Sequence, residues 1–318
     1  MITEVAIFIA GLAVLSWSAD RFVFGASALA KNIGVSSMVI GLTIVAMGSS
    51  APEIVVSATA SLANNPDTAV GNAIGSNITN VALVLGLTAL LKPLIVSSTT
   101  VRREMPVLLA VTLLAMYFLS DNYLSFNEGV ILIILFFVSI GGLTLISMNV
   151  EKDDPLQAET EDEIPIGVPA SKAIFWVIIG LILLPVSAHF MVGSAVEIAR
   201  FFGMSELVIG LTIIALGTSL PELAASIAGV LKGEDDLALG NIIGSNIFNL
   251  LAVLAMPGLF APGFIDENVA SRDVYAMLFI TSLMIAFSFN LRGTRRINRW
   301  EGVALILCYF AYCAFLFY

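Results

Sequence analysis

The chain has 318 residues, 58% of them hydrophobic and only 12% charged, with a formal net charge of −10 and a mean hydropathy of +0.99. A soluble domain carries roughly a quarter charged residues, so this composition excludes an ordinary soluble protein and makes the bilayer the solvent. The negative charge resides mostly in short connections, and neither a nucleic-acid partner nor an obligate protein partner is expected beyond the lipid itself.

The apolar residues fall in blocks of about 17 to 29, long enough to span ~30 Å of hydrocarbon as helix. They predict an all-α polytopic membrane protein with ten transmembrane helices, at about 3–19, 36–62, 68–91, 104–120, 128–148, 171–199, 205–231, 236–260, 272–290 and 300–317. The N-terminus has no basic stretch ahead of its first apolar segment, so no cleavable signal is expected. The span 149–170, NVEKDDPLQAETEDEIPIGVPA, is acidic, holds three prolines and reads as a solvated linker between two halves, 1–148 and 171–318. Its carboxylates lack the regular spacing of an EF-hand loop. Cys308 and Cys313, in the last segment, suggest neither a disulfide nor a metal site, and the one histidine, His189, reads as a packed or cavity-edge residue.

Lys and Arg set the orientation. With the N-terminus outside, the inner connections hold Arg21, Lys31, Lys92, Arg102, Arg103, Lys152, Lys172, Lys232, Arg292, Arg295, Arg296 and Arg299. The outer ones hold only Arg200 and Arg272. A multi-pass protein of the cell membrane is expected, with both termini outside and the linker in the cytoplasm.

One stretch occurs twice. IGLTIVAMGSSAPE at 40–53 matches IGLTIIALGTSLPE at 209–222 in 10 of 14 positions. GNAIGSNITN at 71–80 matches GNIIGSNIFN at 240–249 in 8 of 10 positions, again 169 residues on. The first motif region is thus 40–80 and the second 209–249, within two copies of a five-helix unit. Five is odd, so the second copy enters the membrane inverted. Inverted repeats are an architecture of secondary transporters, which bind substrate near the midplane where the copies meet.

Each copy places a glutamate, Glu53 or Glu222, deep in an apolar segment. A charge at a helix centre costs about 2.5–3.5 kcal/mol even on the lenient insertion scale, and such residues are functional by default. No Lys or Arg lies within the motifs, so a cation or proton is the expected partner. Pro52 and Pro221 remove the helical donors of the Gly48 and Gly217 carbonyls. Carbonyls of Ala46, Ser49, Ala215 and Thr218 could then turn toward a cavity, beside the hydroxyls of Ser49, Ser50, Thr218 and Ser219. Ser76 with Asn80, and Ser245 with Asn249, are each four apart and share a helix face. Gly71, Gly75, Gly240 and Gly244 permit close helix approach. The donor set is all oxygen, which suits hard cations such as Ca²⁺ and Na⁺ rather than zinc or copper.

These paired motifs, G[ST]S-x-PE and GN-x-x-GSN, resemble the two α-repeats of the cation/calcium exchanger superfamily, in its prokaryotic sodium/calcium exchanger-like branch, over essentially the whole chain. The resemblance implies a Na⁺/Ca²⁺ antiporter that is not an enzyme, needs no cofactor and exports Ca²⁺ by alternating access. It implies Ca²⁺ held by Glu53, Glu222 and the carbonyls of Ser49 and Thr218. It also implies one Na⁺ site from Glu53, Ser76, Ala215, Thr218 and Ser219, and a mirror site from Glu222, Ser245, Ala46, Ser49 and Ser50. Asn80 and Asn249 would line the middle, and the first and sixth helices would slide. Two departures stand out. Asn249 occupies a position that is Asp in potassium-dependent relatives, which argues against K⁺ co-transport, and Ser49 replaces the commoner Thr.

Other readings remain. Two close carboxylates titrate as a pair and could carry protons, giving an H⁺/Ca²⁺ or other divalent-cation antiporter. Proton-coupled relatives, however, have an acidic–His pair after the GN motif, where this chain reads GSN. A cation channel usually has a ring of subunits around its filter, which an intrachain repeat does not supply. A serine hydrolase needs a Ser–His geometry, and His189 has no counterpart in the duplicated motif.

Overall fold

The computed structural model describes residues 2–148, 168–203, 215–289 and 295–316. Most of the linker (149–167), positions 209–214 of the second motif and Arg292 lie outside the described residues. The principal helices are α1 (Ile2–Ile33), α2 (Ser37–Ser49), α3 (Ala51–Leu62), α4 (Pro66–Leu91), α5 (Glu104–Leu119), α6 (Phe126–Met148), α7 (Ala170–Phe201), α8 (Leu220–Leu231), α9 (Asp235–Phe260), α10 (Val269–Ser288) and α11 (Arg299–Leu316). Among the described residues seven helices are long and apolar enough to cross a membrane, and the pair α2 and α3 passes the same test as one bent span. The protein is an all-α polytopic membrane protein.

Of the ten expected segments, eight have helix boundaries within a few residues of the apolar blocks; the seventh, expected at 205–231, lies partly outside the described residues and is described only from Ala215 onward, with a break at Ser219, and the first differs. The first segment, expected at 3–19, runs on to Ile33. Asp20 and Arg21 interrupt the apolar run without ending the helix, because tertiary partners meet their charges. Asp20 pairs with Lys232 at 2.8 Å, and the Arg21 guanidinium lies 5.5 Å from the Trp176 ring centre. The stretch beyond them then buries Phe22, Val23, Ala26 and Leu29.

α1 and α7 have 32 residues each and pack against one another. Gly11 faces Met191 while Gly25 faces Ala173 and Val177, so they run antiparallel. At 1.5 Å per residue each is ~48 Å long, longer than the hydrocarbon core, so each must tilt to fit. Both end at a glycine with φ +77°, Gly34 and Gly203, again 169 residues apart. Asn64 and Gly233, which follow α3 and α8, are a second pair of positive-φ residues at that offset. The turn chemistry therefore repeats together with the motifs.

α4 and α9 form the centre. Every residue of the most apolar 18-residue window of α9 is buried, against 17% for α11 on the periphery. α2 lies backbone to backbone on α9, and a Cβ at Gly41 would sit 2.5 Å from the Leu237 carbonyl oxygen. Short antiparallel strands tie the ends: β1 (Leu94–Ile95) pairs with β4 (Arg296–Ile297), and β2 (Tyr123–Leu124) with β3 (Gly263–Phe264). Each pair joins the first half to the second. At one end Lys92 reaches the Val230 carbonyl at 2.8 Å and Asp235 at 3.4 Å, and Asp235 accepts the Ile95 N–H at 3.0 Å. At the other end Asp67 accepts the Asp266 N–H at 2.8 Å.

Candidate cation site

The site is built on two helix breaks. Ser50 (φ −88°, ψ 6°) separates α2 from α3, and Ser219 (φ −91°, ψ 7°) separates the turn Ala215–Thr218 from α8. The proline stands in the first turn of the helix after each break, where its missing N–H costs nothing. α2 and α3 meet at 44°. Sequence reasoning had these prolines removing donors within a membrane helix; the structure uses them to start new helices. Glu53 and Glu222 then fall in the first turns of α3 and α8, where the helix dipole favours negative charge.

Both glutamates are wholly buried. They come from opposite halves, and Ser50, three residues before Glu53, reaches across to Glu222. Ser50 donates to Glu222 Oε1 at 3.0 Å. Among the described residues Glu53 Oε1, Glu53 Oε2 and Glu222 Oε2 have no hydrogen-bond partner, and no basic side chain pairs with either carboxylate.

Packing between the halves brings together the helices that carry the remaining expected residues. α3 packs on the π-helical turn Asn249–Val253 of α9, and α8 packs on the π-helical turn Thr79–Leu85 of α4. Each glutamate-bearing helix thus meets the turn carrying the other half's asparagine, Asn249 or Asn80. Single π-turns recur at functional sites because they re-aim side chains. Asn80 and Asn249 are wholly buried, and none of their side-chain polar atoms has a partner among the described residues. Ser76 and Ser245 are buried one turn earlier on the same helices. The Ser49 hydroxyl donates to Asn241 Oδ1 at 3.2 Å and lies 3.5 Å from Ser245 Oγ. Ser219 is buried with its Oγ unpartnered among the described residues, and Thr218 is half-buried beside it. The Ala46 carbonyl accepts the Ser50 N–H at 3.0 Å, whereas the Ser219 N–H reaches Leu216 at 3.2 Å, one residue past Ala215.

His189 is not packed in the interior. It lies exposed on α7, 5.8 Å from the Phe190 ring. Cys308 and Cys313 are half-buried free thiols on α11. Among the described residues no group of three or more His, Cys, Asp and Glu forms a metal cluster, so cation binding would rest on two carboxylates and neutral oxygens.

Two residues of the GN motif escaped notice in the sequence. Asn72 Nδ2 donates to the Glu53 carbonyl at 3.1 Å, and Asn241 Nδ2 donates to the Glu222 carbonyl at 3.3 Å and to Ser226 Oγ at 3.0 Å. Their signal was available: each is an identical Asn 19 residues after its glutamate.

Comparison with known proteins gives one consistent result. A family model described as "Sodium/calcium exchanger protein" matches residues 3–145 and 172–318. CaxA of Alkalimonas amylolytica is 53% identical over 317 residues, covering 100% of this chain and 99% of that protein. "Sodium/calcium exchanger MaX1" of Methanosarcina acetivorans is 31% identical, covering 98% of each. The solved structure of "the sodium-calcium exchanger NCX_Mj" superposes with a TM-score of 0.84 at 34% identity, covering 99% of this chain and 98% of that one.

Proposed function

This chain belongs to the sodium/calcium exchanger family, an antiporter family of cation and Ca²⁺ exchange, and from that premise we propose that it exchanges Na⁺ for Ca²⁺ and works in the direction of Ca²⁺ export. The observation that carries the reading is the buried pair Glu53 and Glu222, with three of four carboxylate oxygens unpartnered among the described residues. Two buried like charges without a counter-charge are costly. One Ca²⁺ neutralises both, and Na⁺ ions do so in its place when serine hydroxyls and carbonyls supply further oxygens. Na⁺ and Ca²⁺ would then compete for the same carboxylates, which is the coupling an antiporter needs.

In this reading Glu53, Glu222 and the carbonyls of Ser49 and Thr218 hold Ca²⁺. Ser50, Ser76, Ser219, Ser245 and the carbonyls of Ala46 and Ala215 complete the Na⁺ sites, and Asn80 and Asn249 line the middle. The halves 1–148 and 171–318 act as inverted five-helix repeats, ten membrane helices in all, joined by the cytoplasmic linker 149–170. Antiparallel α1 and α7, and the repeated positive-φ turns, support that arrangement. The α1–α7 pair packs around Phe22, Val177 and Leu184 in a hydrophobic cluster distinct from the central one, and this cluster meets α2, α8 and α9 through Ile40, Val45, Ala225 and Leu237; its separation from the central cluster supports movement of the pair to alternate access. Lys92, Lys232, Arg295 and Arg299 gather at the end shared by β1 and β4, which supports that end as cytoplasmic and both termini as outside.

The test is Ca²⁺ uptake into proteoliposomes loaded with Na⁺, against K⁺- and choline-loaded controls, with and without an imposed pH gradient. Uptake that requires internal Na⁺ is expected. Uptake driven only by the pH gradient would make the glutamates proton carriers and overturn the Na⁺ assignment.

A further inference from the structure

We infer that Asn72 and Asn241 are positioning residues for the two glutamates, and that Asn241 also links the first half's Ser49 to the second half's Glu222. The inference rests on the exchange reading above.

The breaks at Ser50 and Ser219 create the need. A continuous helix would fix each glutamate through the preceding turns. Here the first turn of α3 or α8 begins just after a break, so its placement depends on neighbouring helices. Asn72, on α4, donates to the Glu53 carbonyl at 3.1 Å, and Asn241, on α9, donates to the Glu222 carbonyl at 3.3 Å. α4 and α9 also carry Ser76 with Asn80 and Ser245 with Asn249. Each bond therefore fixes a carboxylate-bearing turn against the helix that supplies neutral oxygens to the same site.

Asn241 does more. Its Nδ2 also donates to Ser226 Oγ at 3.0 Å, and its Oδ1 accepts from Ser49 Oγ at 3.2 Å. Exchanging Oδ1 and Nδ2 would set an acceptor against the Glu222 carbonyl, so the network selects one amide orientation. The side chain is wholly buried and its polar atoms are engaged by protein, so it orients ligands and is not one. A shift of Ser49 on α2 is carried through one rigid amide to the turn that holds Glu222.

The experiment compares Asn241→Leu and Asn72→Leu, which keep the branched four-atom side chain and remove the amide, with Ser226→Ala, Ser49→Ala and the double variants. Ca²⁺ binding is read by calorimetry on purified protein, and half-saturation and maximal rate by Na⁺-driven uptake. Each Asn→Leu change is expected to weaken Ca²⁺ binding and raise half-saturation about tenfold, the order of one lost buried hydrogen bond, with the maximal rate largely kept. Asn241→Leu combined with Ser49→Ala should fall short of the product of the single effects, the mark of coupled residues. Asn72→Leu with Ser49→Ala should give the product. Unchanged Ca²⁺ binding in folded Asn→Leu variants, or multiplicative effects for Asn241 with Ser49, overturns the inference and leaves the exchange reading standing. If Asn241→Leu does not fold, Ser226→Ala with Ser49→Ala decides in the same way. A wild-type protein that binds no Ca²⁺ overturns both.

Discussion

The Glu53 side and the Glu222 side of the site have nearly the same sequence and different surroundings. Ser50 donates to Glu222, whereas its counterpart Ser219 has no partner among the described residues. The Ser50 N–H reaches back four residues and the Ser219 N–H three. Asn77 donates to its own helix at the Ala73 carbonyl, 2.8 Å away, while both polar atoms of its counterpart Asn246 are buried without a partner among the described residues. Equal sequences thus rest in unequal bonding states. Under the proposed alternating-access reading, two related halves take unequal states at any one time, and these unequal bonds would mark where the molecule rearranges as the halves exchange roles.

Four sets of substitutions would break or sharpen this comparison. The largest effect is expected from charge. Glu53→Gln and Glu222→Gln should each lower Ca²⁺ uptake by about 100-fold or more, the scale of a lost charge-assisted ligand. Uptake in proteoliposomes checks this, and retained activity in Glu222→Gln alone would show that its bond to Ser50 is structural.

Next comes packing on the Glu222 side. A Cβ at Gly244 would lie 2.5 Å from the Leu42 carbonyl oxygen. Gly244→Ala should therefore destabilise the protein by about 1–3 kcal/mol through overpacking, visible as a lower Tm in detergent. An unchanged Tm would mean that α2 can withdraw from α9 at no cost.

The serine pair tests the asymmetry itself. Ser50→Ala removes a hydrogen bond to a carboxylate, worth about 1.5–3 kcal/mol, and should lower Tm more than Ser219→Ala does. Both substitutions should raise the Na⁺ concentration needed for half-maximal exchange. Equal Tm losses would show that the difference between the two sides is not energetic. The smallest effect is expected from the tether between α1 and α8. Asp20→Asn breaks a partly exposed ion pair with Lys232, worth under about 1 kcal/mol. The Tm difference from wild type should shrink further in high salt.

Much of the site was legible in the sequence because its signal is chemical and local. Glu53, Glu222 and the flanking serines stand out against an apolar background, and their constant offset ties them to one architecture. The continuation of α1 past Asp20 was not legible, since the partners that absorb its charges, Trp176 and Lys232, lie more than a hundred residues away in the chain. Asn72 and Asn241 were overlooked because in the sequence they sit beside glycines, whose packing role hides the amide's purpose. The loss of helical donors at Pro52 and Pro221 was foreseen, but a proline in a sequence fits both a kinked helix and the start of a new one. Only the backbone at Ser50 and Ser219 distinguishes them.

The sequence by itself determined that this chain crosses the bilayer many times, that it is built on a duplicated motif, and that the motif offers oxygen and negative charge where hydrocarbon would otherwise prevail. These follow from residue type and spacing, which need no partner to be read. The tertiary structure decided which copy of each serine and asparagine is bonded, how α2 lies against α9, and which amide joins the two halves. Identical local sequences cannot specify different surroundings; only contacts between distant segments can, and those exist only once the chain has packed.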